Sequence, residues 1–275
     1  MSMPSVRVLT LNLWNVSEPY APRMAVARAA IAALQPDLIG LQEVVVRRDG
    51  FDQAAEVLGG LGYQAVYGAA FRWNEDGHVH AEGHGDGFGN LVASRWPIVG
   101  WERRGLPGDE LGERRCAVAA HIEAPFGRVP MVSAHLAWRF EHGALRERQV
   151  RVLDDVARAW ARDADFPPII VGDLNADPDA TEIRYLCGLT SLDGHSTYYQ
   201  DAWRVRGEGP GFTWHNRNPY AAMMFEPDRR LDYILVGLAN TDGRGWIERV
   251  ALVADQPIDG VFASDHYGVV ADIRI

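Results

Sequence analysis

The stretch from Val6 to Leu13 alternates and then runs apolar, which predicts a strand buried on both faces. A polar, Pro-rich loop, NVSEPYAP, follows it. From Arg23 to Leu34 the apolar positions Ala27, Ala30, Ile31 and Leu34 recur at helical spacing, and Pro36 marks the stop. Leu38 to Gln42 reads as the next strand, with Glu43 at its C-terminal end. FDQAAEVLGGLG predicts a second helix, ended by its glycines ahead of a strand around Tyr63 to Tyr67. Further strands are expected at Asn90 to Ser94, near Ala117 to Ile122 and near Val129 to Ser133. Arg146 to Trp160 is strongly amphipathic, with Val150, Leu153, Ala157 and Trp160 on one side, and Ile169 to Val171 is a strand after a Pro pair. Three last strands are expected at Leu231 to Val236, Glu248 to Val253 and Val269 to Ile273. Many strands for few helices, with no repeat and no low-complexity linker, suit one α/β domain over residues 1–275, made of two packed sheets with helices outside.

One segment departs from these periods. Residues 74–89, NEDGHVHAEGHGDGFG, have no periodic apolar face, so an exposed flexible loop near a site is expected there. Its histidines lack a stiff element that would fix a metal-binding spacing.

Composition narrows the chemistry. A hydrophobic fraction of 47% with 23% charged residues is globular, and a formal charge of -10 disfavours long-range attraction of a polyphosphate chain. The chain contains no lysine, which excludes Schiff-base chemistry and a P-loop lysine while leaving forked Arg contacts to phosphate. Cys116 and Cys187 are far apart without a CxxC spacing and suit reduced core thiols. No leader pattern opens the chain, and no apolar stretch reaches the roughly 18 residues of a membrane span. A cytoplasmic protein without integral membrane association is the expectation.

Several apolar runs stop at a polar residue: VLTLNLW at Asn12, LIGLQE at Glu43, VSAHL at His135, IIVGDLN at Asp173 and Asn175, RLDYILV at Asp232, and ASDHYG at Asp265 and His266. Strand-end loops are where a rigid scaffold holds catalytic groups. Carboxylates converging there would repel one another unless a cation sat among them. Oxygen and amide ligands without thiolates suit Mg²⁺ or Mn²⁺, with Ca²⁺ needing a roomier site.

In these motifs and their order, from TLNLW at 10–14 to SDHYGV at 265–270, the chain resembles the endonuclease/exonuclease/phosphatase superfamily, in motif style its deoxyribonuclease I-like and sphingomyelinase-like branches. The resemblance implies a four-layer α/β sandwich and metal-dependent hydrolysis of a phosphate ester by direct water attack. It implies that Glu43 is the principal metal ligand, with Asn12 and Asp265 contributing. Asp173 would orient or deprotonate the water, and Asn175 would donate to a phosphoryl oxygen. His266, bonded to Asp232, would face the scissile phosphate as base or as cationic stabiliser. His135 would donate to a phosphate oxygen or protonate the leaving group.

Arg115, in ERRCAVAAHIE, and Trp138, just after His135, are candidate substrate contacts, whereas Arg146 is expected to hold neighbouring loops. A small-molecule or lipid-headgroup phosphate ester is favoured as substrate. Nuclease action on DNA or RNA is the nearest enzymatic alternative, and a non-catalytic binding protein on the same fold is the other.

Overall fold

The computed structural model describes residues 4–73, 79–80, 87–108 and 112–275. The first five strands are β1 (Ser5–Asn12), β2 (Leu38–Val46), β3 (Gln64–Trp73), β4 (Val79–His80) and β5 (Gly87–Ser94). The chain then leaves for a second sheet, formed by β6 (Ile98–Leu106), β7 (Arg115–Ala124), β8 (Gly127–His135), β9 (Ile169–Asp173), β10 (Tyr199–Asp201) and β11 (Asp232–Gly237). It returns with β12 (Ile247–Val253) and β13 (Gly268–Arg274). The seven-stranded sheet has the order β12-β13-β1-β2-β5-β3-β4, and the six-stranded sheet β10-β11-β9-β8-β7-β6. Both are mixed: β1 runs parallel to β2 and antiparallel to β13, while β9 runs parallel to β8 and antiparallel to β11.

Side-chain alternation assigns the faces. Val6 and Val8 of β1 meet Val129 and Met131 of β8, Ile169 and Val171 of β9, and Ile234 and Val236 of β11 in one core between the sheets. The intervening residues face outward. Leu9, Leu11, Ile39 and Leu41 pack under α1 (Tyr20–Leu34) and α2 (Gln53–Leu58). On the other side Val132, Ala134, Ile170, Tyr233 and Leu235 pack under α3 (Gly143–Trp160) and α4 (Thr181–Leu186). The result is the expected helix, sheet, sheet, helix order. Two short helices, α5 (Ala202–Arg206) and α6 (Pro219–Ala222), are started by Asp201 and Asn218, whose side chains accept backbone N–H groups. Among the described residues no helix is long and apolar enough to cross a membrane.

Three differences from the sequence reading have local causes. β2 does not end before Glu43 but runs on to Val46 through a register shift between Leu41 and Val44. β5 begins at Gly87, so residues 87–89 belong to a buried strand and not to the expected loop. Of the rest of that segment, Val79–His80 pairs with β3, and 74–78 and 81–86 lie outside the described residues. β6 was not anticipated because it is a half-exposed edge strand with charged residues among its apolar ones. Cys116 and Cys187 are free and buried, as expected.

Candidate functional site

The rows that form the inter-sheet core turn polar at one end of the sandwich. In β1 the inward row runs Val6, Val8, Thr10, Asn12; in β8 it runs Val129, Met131, Ser133, His135; in β9 it runs Ile169, Val171, Asp173. β11 contributes Asp232, ahead of Ile234 and Val236. Register places His135 opposite Asp173 and Asp173 opposite Asp232, so three strands present the three groups side by side. Beneath them Thr10 Oγ1 donates to Gln42 Oε1 at 3.1 Å, and Gln42 Nε2 donates to Ser133 Oγ at 3.1 Å. This buried string satisfies the transition from oil to site.

Asp173 is the hub. Asn12 Nδ2, from the other sheet, donates to its Oδ2 at 2.9 Å, and the Asn175 backbone N–H donates to its Oδ1 at 3.0 Å. His135 Nε2 and His266 Nε2 stand 3.4 and 3.7 Å from the same Oδ2. Burial, reinforced by Asp232, pushes the Asp173 carboxyl up to about 6, against the pull of His266, Asn12 and the Asn175 amide. Asn175 follows in the left-handed region at φ 48°, which turns its amide back so that Nδ2 lies 3.0 Å from His135 Nε2.

The two histidines are held in opposite charge states. His266 Nδ1 is 2.8 Å from Asp232 Oδ2. Burial opposes a charged ring there, yet the Asp232, Asp173 and Asp265 carboxylates outweigh it and keep His266 protonated well above 6.5. His135 is driven well below 6.5 by burial, and by the Arg115 and His266 charges in addition, so it is neutral. Arg115 Nη1 lies 3.0 Å from His135 Nδ1, and Arg115 Nε is tied to Glu113 Oε1 at 2.6 Å. Thr213 Oγ1 accepts the backbone N–H groups of Leu231 and Asp232, and Trp214 sets its ring edge-on to His266 at 5.0 Å.

Glu43 needs a backbone irregularity to reach the site. Strict alternation would send it outward with Leu41, but the register shift and φ 55° turn it toward the cleft. There its Oε2 accepts from Asn15 Nδ2 at 2.8 Å. Asp265 lines the same cleft, its Oδ1 accepting from Ser264 Oγ at 3.0 Å. Burial, with the Glu43 charge adding, raises the Asp265 carboxyl to about 7. Two oxygen-donor carboxylates, one of them buried at a cost to its charge, form a pair that a divalent cation would relieve. A second grouping, Asp173, Asp232 and His266, has ligand atoms within 4.8 Å of one another.

The cleft encloses about 290 Å³. Glu43, Arg115, His135, Trp138, Asp173, Asn175, Asp265 and His266 line it, and Asn12 and Asp232 stand behind that wall as supports. Arg114 is exposed and outside it. Arg146 takes the expected loop-holding place, donating to Glu182 and to the Ala137 and Arg139 carbonyls. Sequence reasoning missed Asn15, the support of Glu43, and the aromatic walls Trp14, Phe88 and Tyr220. It also missed Arg229, which holds Asp177 at 2.9 Å and caps the Asn175 carbonyl at 3.4 Å. Its place two residues before the RLDYI aspartate's neighbour, in DRRLDY, was the available signal.

Known proteins share the family and the fold. The model of the "Endonuclease/Exonuclease/phosphatase family" matches residues 9–266. Exodeoxyribonuclease III of Haemophilus influenzae is 26% identical over 163 residues, which is 56% of this chain and 53% of that enzyme. The chain therefore spans about half the length of that curated relative. The structure of an endonuclease/exonuclease/phosphatase from Beutenbergia cavernae superposes with a TM-score of 0.73 at 27% identity, covering 98% of this chain and 72% of that one. Humanized D. rerio TDP2 superposes at 0.75 with 18% identity over 98% and 99% of the two chains, a likeness of fold.

Proposed function

Because the chain belongs to the endonuclease/exonuclease/phosphatase family, we propose that it is a divalent-cation-dependent phosphoesterase working by direct attack of water. The observation that carries the reading is Asp173, a buried carboxylate centred among Asn12, Asn175, His135 and His266. Glu43 and Asp265 would hold the cation, Mg²⁺ or Mn²⁺ before Ca²⁺, while Asn12, expected as a third ligand, has its Nδ2 given to Asp173 and its Oδ1 accepting the Trp14 N–H and so supports the site from behind the cleft wall. Bound there, it would neutralise charge on the phosphoryl group as the leaving oxygen departs. The Glu43 side is preferred because Glu43 and Asp265 both line the open cleft, whereas Asp232 stands behind the wall with its carboxylate bonded to His266 Nδ1 at 2.8 Å.

In this reading Asp173 orients the water and takes its proton, which a carboxyl raised to about 6 does better than an ordinary one. His266, fixed by Asp232, presents a cationic N–H to the phosphoryl oxygens, and Asn175 donates beside it. Neutral His135 and Arg115 stand on the flank where substrate or leaving group would sit, and Trp138 forms the rim. A chain with no lysine and a charge of -10 favours a small or headgroup phosphate ester. The likeness to an exodeoxyribonuclease supports nuclease action as the second reading. The test is hydrolysis with Mg²⁺ and Mn²⁺ of bis-p-nitrophenyl phosphate, p-nitrophenyl phosphate, sphingomyelin, inositol phosphates, DNA and RNA, with Glu43→Gln as control. Activity that persists in chelator or in Glu43→Gln rejects the cation reading, and plasmid cleaved far faster than every small ester selects the nuclease.

A further inference from the structure

Arg23, on α1, is fully buried, and its guanidinium is spent on backbone carbonyls. Nη1 donates to Leu13 O at 2.8 Å and Ala263 O at 3.1 Å. Nη2 donates to Ser17 O at 2.6 Å and to Trp14 O and Asn15 O at 3.2 Å each, and Nε donates to Ser17 O at 3.1 Å. Its carbon lies 4.7 Å from the Trp14 ring centroid. Among the described residues no carboxylate forms an ion pair with it. Burying a cation against carbonyls alone is costly, so the arrangement needs a compensating purpose.

The carbonyls it gathers suggest one. Leu13 to Ser17 form the loop whose Asn15 side chain holds Glu43, and Trp14 and Asn15 there sit at φ 52° and 39°, a backbone that persists only when its surroundings fix it. Ala263 opens the turn that carries Asp265. The two loops come from opposite ends of the sequence, and Arg23 Nη1 bridges them directly. The Glu43 and Asp265 charges act on the guanidinium against the pull of burial, which places it in the field of both carboxylates.

We propose that Arg23 is a positioning residue for the cation site, tying the 13–17 loop to the 263–265 turn so that Glu43 and Asp265 form one ligand pair before any cation arrives. The inference rests on the cation reading above. It requires a planar fork of five donors, which lysine lacks. Loss of groups that orient metal ligands typically weakens metal binding by about 10–100-fold, and Arg23→Lys is expected in that range.

The experiment is Mn²⁺ titration, together with the Mg²⁺ dependence of bis-p-nitrophenyl phosphate hydrolysis, on wild type, Arg23→Lys and Ile31→Ala. Ile31 is buried on the same helix in the cluster that holds Leu13 and Ala263 and makes no side-chain hydrogen bond to either loop, so it matches lost packing without breaking the Arg23 bridge. The expected result is a raised Mn²⁺ Kd and Mg²⁺ requirement for Arg23→Lys alone, with turnover largely restored at saturating Mg²⁺. Mn²⁺ bound equally well by both variants at equal loss of Tm overturns the inference. A wild type that binds no Mn²⁺ removes the cation reading itself, and the inference with it. Should Arg23→Lys fail to fold, hydrogen exchange on the wild type decides: amides of 13–17 and 263–266 protected together without metal support the staple, and protection that appears only with Mn²⁺ refutes it.

Discussion

Gly40→Ala tests whether the distance between the sheets governs the site. Gly40 lies on the inward row of β2, and a Cβ built there would meet Val171 Cγ2 of β9 at 2.2 Å and Ser133 Oγ at 3.2 Å. Carbon contacts settle near 3.5–4.0 Å, so roughly 1.3–1.8 Å must be found. Val171 is β-branched and stiff at χ1, which makes sheet displacement the main relief. Overpacking of this kind costs about 1–3 kcal/mol, and at about 2–4 °C per kcal/mol Tm falls by roughly 2–12 °C. The same displacement pulls on the bonds that cross between sheets, Asn12 to Asp173 at 2.9 Å and Gln42 to Ser133 at 3.1 Å. A misplacement of about 1 Å at a catalytic constellation can cost about 10²-fold, so kcat should fall far more than stability. Adding Val171→Ala removes the obstructing methyl and should recover much of both. Calorimetry and bis-p-nitrophenyl phosphate kinetics on both single variants and the double variant are the assays. Strictly additive losses in the double variant would refute the reasoning.

Asp232→Asn should leave His266 in place but weaken its charge and orientation, giving a partial loss, whereas His266→Ala should be nearly inactive; kcat/KM of the double variant should equal that of His266→Ala, since the pair acts as one unit. Metal-free stability should fall as pH rises from about 6.5 upward, whereas below that the depressed His135, which must shed its proton to fold, opposes the two raised carboxylates. Asp173 and Asp265 have raised folded-state values of about 6 and about 7, so their protonated forms favour the fold, and the raised His266 loses its contribution as pH passes its own folded value. Mg²⁺ should therefore raise Tm more at pH 8 than at pH 5, and scanning fluorimetry showing a pH-independent increment would contradict this. Arg115→Gln should raise KM more than it lowers kcat if the guanidinium contacts substrate; unchanged KM would leave it only as the partner of His135.

What the sequence made legible was the period-2 rows and their polar ends, because alternation is a local property. Asn12, His135 and Asp173 each continue a row that begins with Val or Ile, Asp232 opens one that goes on to Ile234 and Val236, and each proved to face inward. Glu43 was found by its motif, but how it reaches the cleft was not visible, since a register shift is set by pairing with β5 and leaves no mark on period. Asn15 was hidden for a related reason: it acts through a left-handed backbone in a loop, and its partner lies on another strand. Arg23 was hidden by helix periodicity, which counts an Arg as solvent-facing until its carbonyl partners are known. β6 was missed because an edge strand need not alternate cleanly.

The path of the chain between sheets has a consequence for biosynthesis. Strands β1 to β5 build one sheet, β6 to β11 the other, and only then do β12 and β13 return to pair beside β1, bringing Asp265 and His266 with them. Both sheets can therefore collapse around most of their shared core while the site still lacks its protonated ring and one of its carboxylates. On the proposed phosphoesterase reading, a chain emerging in this order would stay hydrolytically silent until β12 and β13 are delivered. The pairing of β1 with β13, which joins residues near 5 and 274 across almost the whole sequence, would thus also complete the site.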